Sequence, residues 1–373
     1  MVKEVILFSY GDSNNPATWS NVPFCFSTAM KKKGVIVHSI NIEPPRLLNA
    51  IWKICFYIPL SVFYPGHQLH FMRTRFFQIL AYRKIKKAVT TYKEADYCIF
   101  TCYDFYNRFS SIPSLLFSDW TYKILIDERL GRKPYWFEYS FEKIQYSTLS
   151  HADKIVCLFP AAAQSMSDSY PKLEVLWRKN VINCLYPKNI SETDILSTKL
   201  KSKQLLFIGN KWYKAAAQKI VEALHTLKEQ GYNIQFNIIG LNNDQIDSKD
   251  VDVKCYGYLN KGIPEECNLY YKLLIEARVF CNPTPKWAGY SSMVEAMYFY
   301  TPVIVAPNHD LVMEFGEEPE FGIYNHEFNA TSIAENIKKI FNEDRYIEVA
   351  KKAHGMVCDY TWDNYVDWLF DNM

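Results

Sequence analysis

The chain holds little of what would break or simplify a sequence. Glycine and proline number 13 and 17 in 373 residues, which excludes a collagen-like or low-complexity chain. The ten cysteines (Cys25, Cys55, Cys98, Cys102, Cys157, Cys184, Cys255, Cys267, Cys281 and Cys358) contain no C-x-x-C pair. Most sit in apolar runs and read as reduced, buried thiols of a cytosolic protein, with no zinc site. No G-x-G-x-x-G follows an expected strand, which argues against a nicotinamide dehydrogenase. The start, Met1-Val2-Lys3-Glu4-Val5-Ile6-Leu7-Phe8, reads as a first core strand rather than a signal peptide.

The residues that are present describe a globular chain. Hydrophobic residues make up 49% and charged residues 22%, enough for a sizeable core. At roughly 150 residues per domain, two domains are expected. The net charge of +2 hides an asymmetry: residues 1–186 carry 23 Lys and Arg against 14 Asp and Glu, the remainder 19 against 26. The first half is therefore expected to meet something anionic.

The strongest local absence is of acid. Residues 46–93 contain nine Lys and Arg and no Asp or Glu. An apolar, aromatic-rich run from Leu47 to Tyr64 opens this stretch, interrupted by Asn49, Lys53 and Pro59. His67, His70, Arg73, Arg75, Arg83, Lys84, Lys86 and Lys87 follow. Lys53 and Pro59 argue against a transmembrane helix, which needs about 20 largely uncharged residues. An interfacial segment on an anionic membrane fits better. A core helix pair with a solvated basic face is the plainer reading. His67 and His70 stand three apart, but no carboxylate accompanies them and no metal is expected. No nucleic-acid-binding module is recognisable, so nucleic acid is not an expected partner.

Strand and helix patterns alternate along the chain. Strands are expected at Val5–Ser9, Val35–Ile40, Tyr97–Thr101, Ser114–Phe117 and Lys154–Leu158, with a helix from Thr18–Ser20 to Gly34. The pattern breaks around Trp177–Pro187. It then restarts with strands at Leu205–Ile208, Ile234–Ile239, Val253–Tyr256, Val279–Asn282 and Val303–Ala306, and a last helix begins near Thr361. This is an α/β chain with two Rossmann-like halves.

The most informative segment runs from Asn282 through Gly289, Ser291, Ser292 and Glu295 to Thr301-Pro302-Val303. A strand enters a glycine-containing loop, and the loop opens a helix whose N–H groups suit phosphate. Glu295, expected in the first turn, suits ribose hydroxyls. Ser292-Met293-Val294-Glu295 also matches the capping box S-x-x-E, which would turn the carboxylate back to the Ser292 N–H.

Several stretches together resemble glycosyltransferase family 4, nucleotide-sugar enzymes of the GT-B fold. They are Leu205-Leu206-Phe207-Ile208-Gly209, Ile238-Ile239-Gly240, Cys255-Tyr256-Gly257-Tyr258-Leu259, and Val294-Glu295-Ala296-Met297 through Thr301-Pro302-Val303-Ile304. Tyr360-Thr361-Trp362 is similar to the start of the family's closing helix, and Thr18-Trp19-Ser20 to a loop facing the donor phosphates in bacterial polysaccharide transferases. The resemblance implies two Rossmann-like domains facing a central cleft. An acceptor domain would span 1–186, a donor domain 187–355, and a helix crossing back 356–373.

The resemblance also implies a glycosyltransferase moving a sugar from a UDP- or GDP-sugar to a hydroxyl of a glycan or lipid-linked acceptor, retaining and metal-independent. It needs no cofactor and would sit in the cytoplasm at the inner face of the membrane. Lys211, Lys214, Gly289, Ser291 and Ser292 would hold the diphosphate, Glu295 the ribose, and Tyr256, Gly257 and Tyr258 the base. Gly11, Asp12, Trp19 and Ser20 would form an acceptor or phosphate loop. Asp119 would orient an acceptor hydroxyl or act as base; the plain alternative is a turn or helix-start aspartate. Solvated lysines are the alternative for Lys211 and Lys214. The sequence departs from the family where Trp287 replaces its first glutamate and Asn210 its arginine. These departures keep open a catalytically silent subunit that binds nucleotide sugar or a partner enzyme.

Overall fold

The structure, a computed structural model, describes residues 2–185, 191–285 and 290–373. The chain divides into two compact units, Met1–Lys179 with Trp362–Met373, and Asn180–Thr361.

The first unit is a six-stranded parallel sheet: β1 (Glu4–Ser9), β2 (Ile36–Asn41), β3 (Tyr97–Phe100), β4 (Ser114–Ser118), β5 (Lys154–Cys157) and β6 (Val175–Trp177), in the order β2-β1-β3-β4-β5-β6. The central β1 reads as an unbroken apolar run because helices cover both its faces, and Val5 through Phe8 are fully buried. Phe8 stacks on Phe100 at 4.5 Å. The short β6, where the apolar pattern breaks, pairs with β5 and completes the sheet. The chain leaves this unit after Lys179. It returns with the helix Trp362–Asp371, whose Trp362 and Tyr365 pack on Phe26 and Phe117.

The helix expected from Thr18 begins only at Val22, with Pro23 in its first turn. Before it, Trp19, Ser20 and Asn21 all have positive φ (37°, 52° and 71°), a costly conformation for residues with a Cβ.

The acid-free stretch does not break at Pro59. Arg46–Trp52 and Ile58–Phe63 are joined by a π-helical turn, Lys53–Tyr57, into one helix of 18 residues, long and apolar enough to cross a membrane by length and composition. Pro59 donates no hydrogen bond, and the wider turn before it accommodates the loss. Leu47, Val62 and Phe63 are 72%, 73% and 78% exposed. The helix is nevertheless tied down along one side: Trp52 Nε1 donates to Leu69 O at 3.0 Å, and buried His67 meets Tyr57 O through Nε2 at 3.0 Å.

The second unit repeats the architecture with β7 (Gln204–Ile208), β8 (Gln235–Ile239), β9 (Val253–Cys255), β10 (Val279–Asn282), β11 (Val303–Val305) and β12 (Gly322–Tyr324), in the order β12-β11-β10-β7-β8-β9. A fully buried lysine braces it. Lys199 Nζ donates to Leu274 O, Ala277 O and Thr301 Oγ1 at 2.7–2.8 Å, so each ammonium proton has an acceptor.

Candidate functional site

Strand order reverses between β7 and β10 in the second unit, and between β1 and β3 in the first. In open parallel sheets ligands bind at the carboxyl edge of such a switch point.

In the second unit, three glycines bring the loops after β7, β8 and β9 into backbone contact. A Cβ on Gly240 would stand 2.5 Å from the Gly209 carbonyl oxygen, and Gly240 has φ +99°. Its N–H donates to Gly257 O at 2.7 Å. The loop after β7 then turns into the helix Lys214–Glu229, which has no acid in its first turn. Asn210 Oδ1 accepts from Trp212 N–H at 3.0 Å and shapes that turn. Lys211 and Lys214 flank the helix start, both exposed, and neither joins an ion pair among the described residues. Two cations and a helix N-terminus thus stand at the carboxyl end of β7. Beside it, Asn282 at the end of β10 donates through Nδ2 to Ile208 O at 3.3 Å, joining the two strand ends.

The helix after β10 is Tyr290–Tyr298. Ser291 is exposed and Ser292 half-buried, both in its first turn, while Gly289 lies outside the described residues. The expected capping box does not form: Ser292 is the third residue of the helix, Glu295 the sixth, and the carboxylate is committed elsewhere. Lys261 Nζ donates to Oε1 and Oε2 of Glu295 at 2.7 and 2.8 Å. The hydroxyl of Tyr271 donates to Oε1 at 2.9 Å and that of Tyr270 to Oε2 at 2.8 Å. Lys261 also lies over the Tyr270 ring, 4.2 Å from its centroid. The pair is buried, with side-chain exposures of 9% and 5%. Burial, then the Glu295 charge, pushes the Tyr270 phenol well above its ordinary pKa, so it stays a donor. The expected first-turn ribose ligand is therefore a second-turn carboxylate already saturated by protein donors.

Of the expected base pocket, Gly257 lies in the glycine seam and Tyr258 is exposed. Tyr256 is turned away from it, its hydroxyl donating to Asn237 Oδ1 at 3.1 Å. Lys261, Tyr270 and Tyr271 escape sequence reasoning. Their one visible trace is a Tyr-Tyr pair in the amphipathic helix Pro264–Glu276.

In the first unit a cavity of about 360 Å³ opens at the carboxyl ends of β1, β3 and β4. Trp19 and Asp119, two of the expected acceptor-side residues, line it. Gly11, Asp12 and Ser20 do not. Gly11 closes a turn against Thr18, Asp12 Oδ1 accepts from its neighbour Asn14 N–H at 2.9 Å, and Ser20 is exposed. Asp119 follows β4; its Oδ1 accepts from Trp120 N–H at 2.8 Å and from Ser118 Oγ at 3.2 Å. Burial raises its pKa against the opposing pull of those donors. Behind it, Asp104 is held by Tyr10 OH and Gln145 Nε2, both at 2.8 Å.

Residues 191–354 match the family model described as Glycosyl transferases group 1. The matched residues fall within the second unit, Asn180–Thr361. No curated protein matches. Solved structures extend the likeness across both units. Sucrose-phosphate synthase from Thermosynechococcus elongatus superposes with a TM-score of 0.63 at 14% identity, over 99% of this chain and 98% of that one. A glycosyltransferase from Rickettsia africae gives 0.66 at 12% identity, over 99% and 97%. Anabaena Alr3699/HepE, solved with UDP and glucose, gives 0.60 at 13% identity, over 100% of both. The likeness over both units shows the fold, which is GT-B.

Proposed function

We propose that this protein is a glycosyltransferase that moves a sugar from a UDP- or GDP-sugar to a hydroxyl of a glycan or lipid-linked acceptor, with retention at the anomeric carbon. The observation that carries the reading is the pair Lys211 and Lys214 at the start of the helix after β7, within the residues that match the group 1 family model. Charge develops on the β-phosphate as the glycosidic bond breaks. The two ammonium groups, the helix start and the N–H groups near Ser291 and Ser292 stabilise it, and no metal ion is needed. Glu295 exchanges a Lys261 or tyrosine hydrogen bond for a ribose hydroxyl when nucleotide binds. Asp119 orients the acceptor hydroxyl in the first unit's cavity; in an inverting reaction it would be the base.

The acceptor is presented at an anionic membrane on the cytoplasmic side. The exposed apolar helix Arg46–Phe63 and the cations that follow it support this. Its ties to Leu69 and His67 favour a helix lying in the interface over one that crosses. Sedimentation with vesicles of phosphatidylglycerol and phosphatidylcholine tests this arm. Binding that Val62→Asp with Phe63→Asp weakens at least tenfold supports it, and no sedimentation of the intact protein contradicts it. Calorimetric titration with UDP and GDP tests the donor arm, with binding that survives EDTA as the expected result.

A further inference from the structure

Arg73 is the most unusual charge in the first unit. It ends the short helix Phe71–Arg73, immediately before Thr74 caps the helix Arg75–Thr91. Its guanidinium stands 4.6 Å from the centroid of the Tyr122 ring and 5.8 Å from that of Phe141, and burial pulls its pKa down. Nη1 donates to Gln68 O at 2.7 Å and to Gln68 Oε1 at 3.3 Å. Nε and Nη2 have no hydrogen-bond acceptor among the described residues, and no carboxylate lies within ion-pair distance. The two nearby acids are already engaged. Glu138 is bound by both terminal nitrogens of Arg132, at 2.7 and 2.9 Å, and by the N–H groups of Tyr135 and Gln68. Asp104 is held by Tyr10 and Gln145. A desolvated guanidinium without a counter-ion is costly, yet this one is fixed on two aromatic faces with a planar edge unspent. That edge suits the two oxygens of a phosphate or carboxylate.

A second unspent group shares the same cavity. Asp119 Oδ2 accepts no hydrogen bond among the described residues, while Oδ1 is held by Trp120 and Ser118. Arg73 and Asp119 both line the cavity at the switch point between β1 and β3. One wants an oxyanion and the other a hydroxyl. We propose that the cavity binds an acceptor bearing a phosphate or carboxylate beside its reactive hydroxyl, with Arg73 taking the anion and Asp119 the hydroxyl. The assignment rests on the transferase reading above and adds the acceptor's chemical class. Arg73 is here a specificity-determining residue.

The test uses the full chain with glucose, glucose 6-phosphate and glucuronate as probes. Calorimetry on the intact protein is expected to show the better anionic sugar binding at least tenfold tighter than glucose. Arg73→Gln is expected to erase that preference while UDP binding stays unchanged. The phosphate sugar outranking the uronate would assign the oxyanion as phosphate, and the reverse order as carboxylate. If Arg73→Gln does not fold, arginine modification by phenylglyoxal, read by peptide mass, gives the answer on the intact protein. Glucose 6-phosphate or glucuronate should protect Arg73 where glucose does not. Equal affinity for all three sugars, a preference that persists in Arg73→Gln, or absence of protection would each overturn the proposal. Failure of UDP and GDP to bind would instead count against the donor reading, so the two failures are separable.

Discussion

The two sheets end in sites of opposite character. At the carboxyl edge of the second unit the buried charges are matched to one another, Glu295 with Lys261 and two tyrosines, and the unmatched cations Lys211 and Lys214 stand exposed. At the carboxyl edge of the first unit the unmatched groups, Arg73 and Asp119 Oδ2, face an interior cavity. The difference teaches where each half holds its binding energy in reserve. The second unit offers solvated cations on a backbone seam. The first unit offers buried groups whose unused hydrogen bonds suit a particular partner.

The largest expected effect breaks the matched cluster. Glu295→Ala leaves the Lys261 ammonium buried without its carboxylate and should cost about 3–5 kcal/mol of stability, read by urea unfolding. Glu295→Leu combined with Lys261→Met should be less damaging than either single change, because no lone charge remains. If the double variant is as unstable as the worse single one, the cluster is not a coupled ion pair.

Next come the exposed cations. Lys211→Ala and Lys214→Ala should each lower donor kcat/KM by about 10²-fold, the scale of one lost transition-state donor. The melting temperature should stay put, since both lysines are exposed. A fall in melting temperature matching the activity loss would place the two lysines in the structure rather than in the chemistry.

A smaller effect sharpens the contrast from the first unit. Burial alone would raise the Glu138 pKa, but Arg132 and the N–H groups of Tyr135 and Gln68 hold it below the ordinary value of 4.5. A carboxylate with a depressed folded pKa contributes stability above its unfolded pKa and loses it as pH falls through the folded value. Stability of the intact protein should therefore drop on acidification below about pH 4.5. Glu138→Gln should be less stable at pH 7 and lose less on acidification. Equal pH slopes for both proteins would show that this carboxylate is not what holds residues 64–70.

The smallest effect concerns the strained turn before Val22. Ser20→Gly relieves one of three consecutive positive φ angles and should stabilise the first unit by up to about 1 kcal/mol, read by thermal unfolding. Unchanged or lower stability would mean that the turn is held without strain.

Much of the second unit is legible in the sequence because its constraints are local. Gly209, Gly240 and Gly257 stand where strand ends touch, and a side chain at Gly240 would collide with backbone. Such positions leave a glycine after an apolar run, which is visible in one dimension. The strands of both sheets are legible for the same reason, while β6, which runs into the stretch where the apolar pattern breaks, and β12, Gly-Ile-Tyr with a single aliphatic residue, escape. The convergent groups are not legible. Lys261, Tyr270 and Glu295 meet across 34 and 25 residues of sequence, and S-x-x-E suggests a cap that competes with the observed pairing. Arg73 sits in a run of cations that looks like a uniform basic face. Only the packing of Tyr122 and Phe141 over it, and the prior engagement of Glu138 and Asp104, set it apart from its neighbours.

The most direct test of the central claim is a nucleotide-release assay across UDP-, GDP-, CMP- and dTDP-sugars, run on the intact protein beside Lys214→Ala and Glu295→Gln. The account predicts release from a UDP- or GDP-sugar, about 10²-fold slower in Lys214→Ala at an unchanged melting temperature, and weaker nucleotide binding in Glu295→Gln. Release that is indifferent to Lys214→Ala, or no release together with no melting shift from any nucleotide, would contradict it.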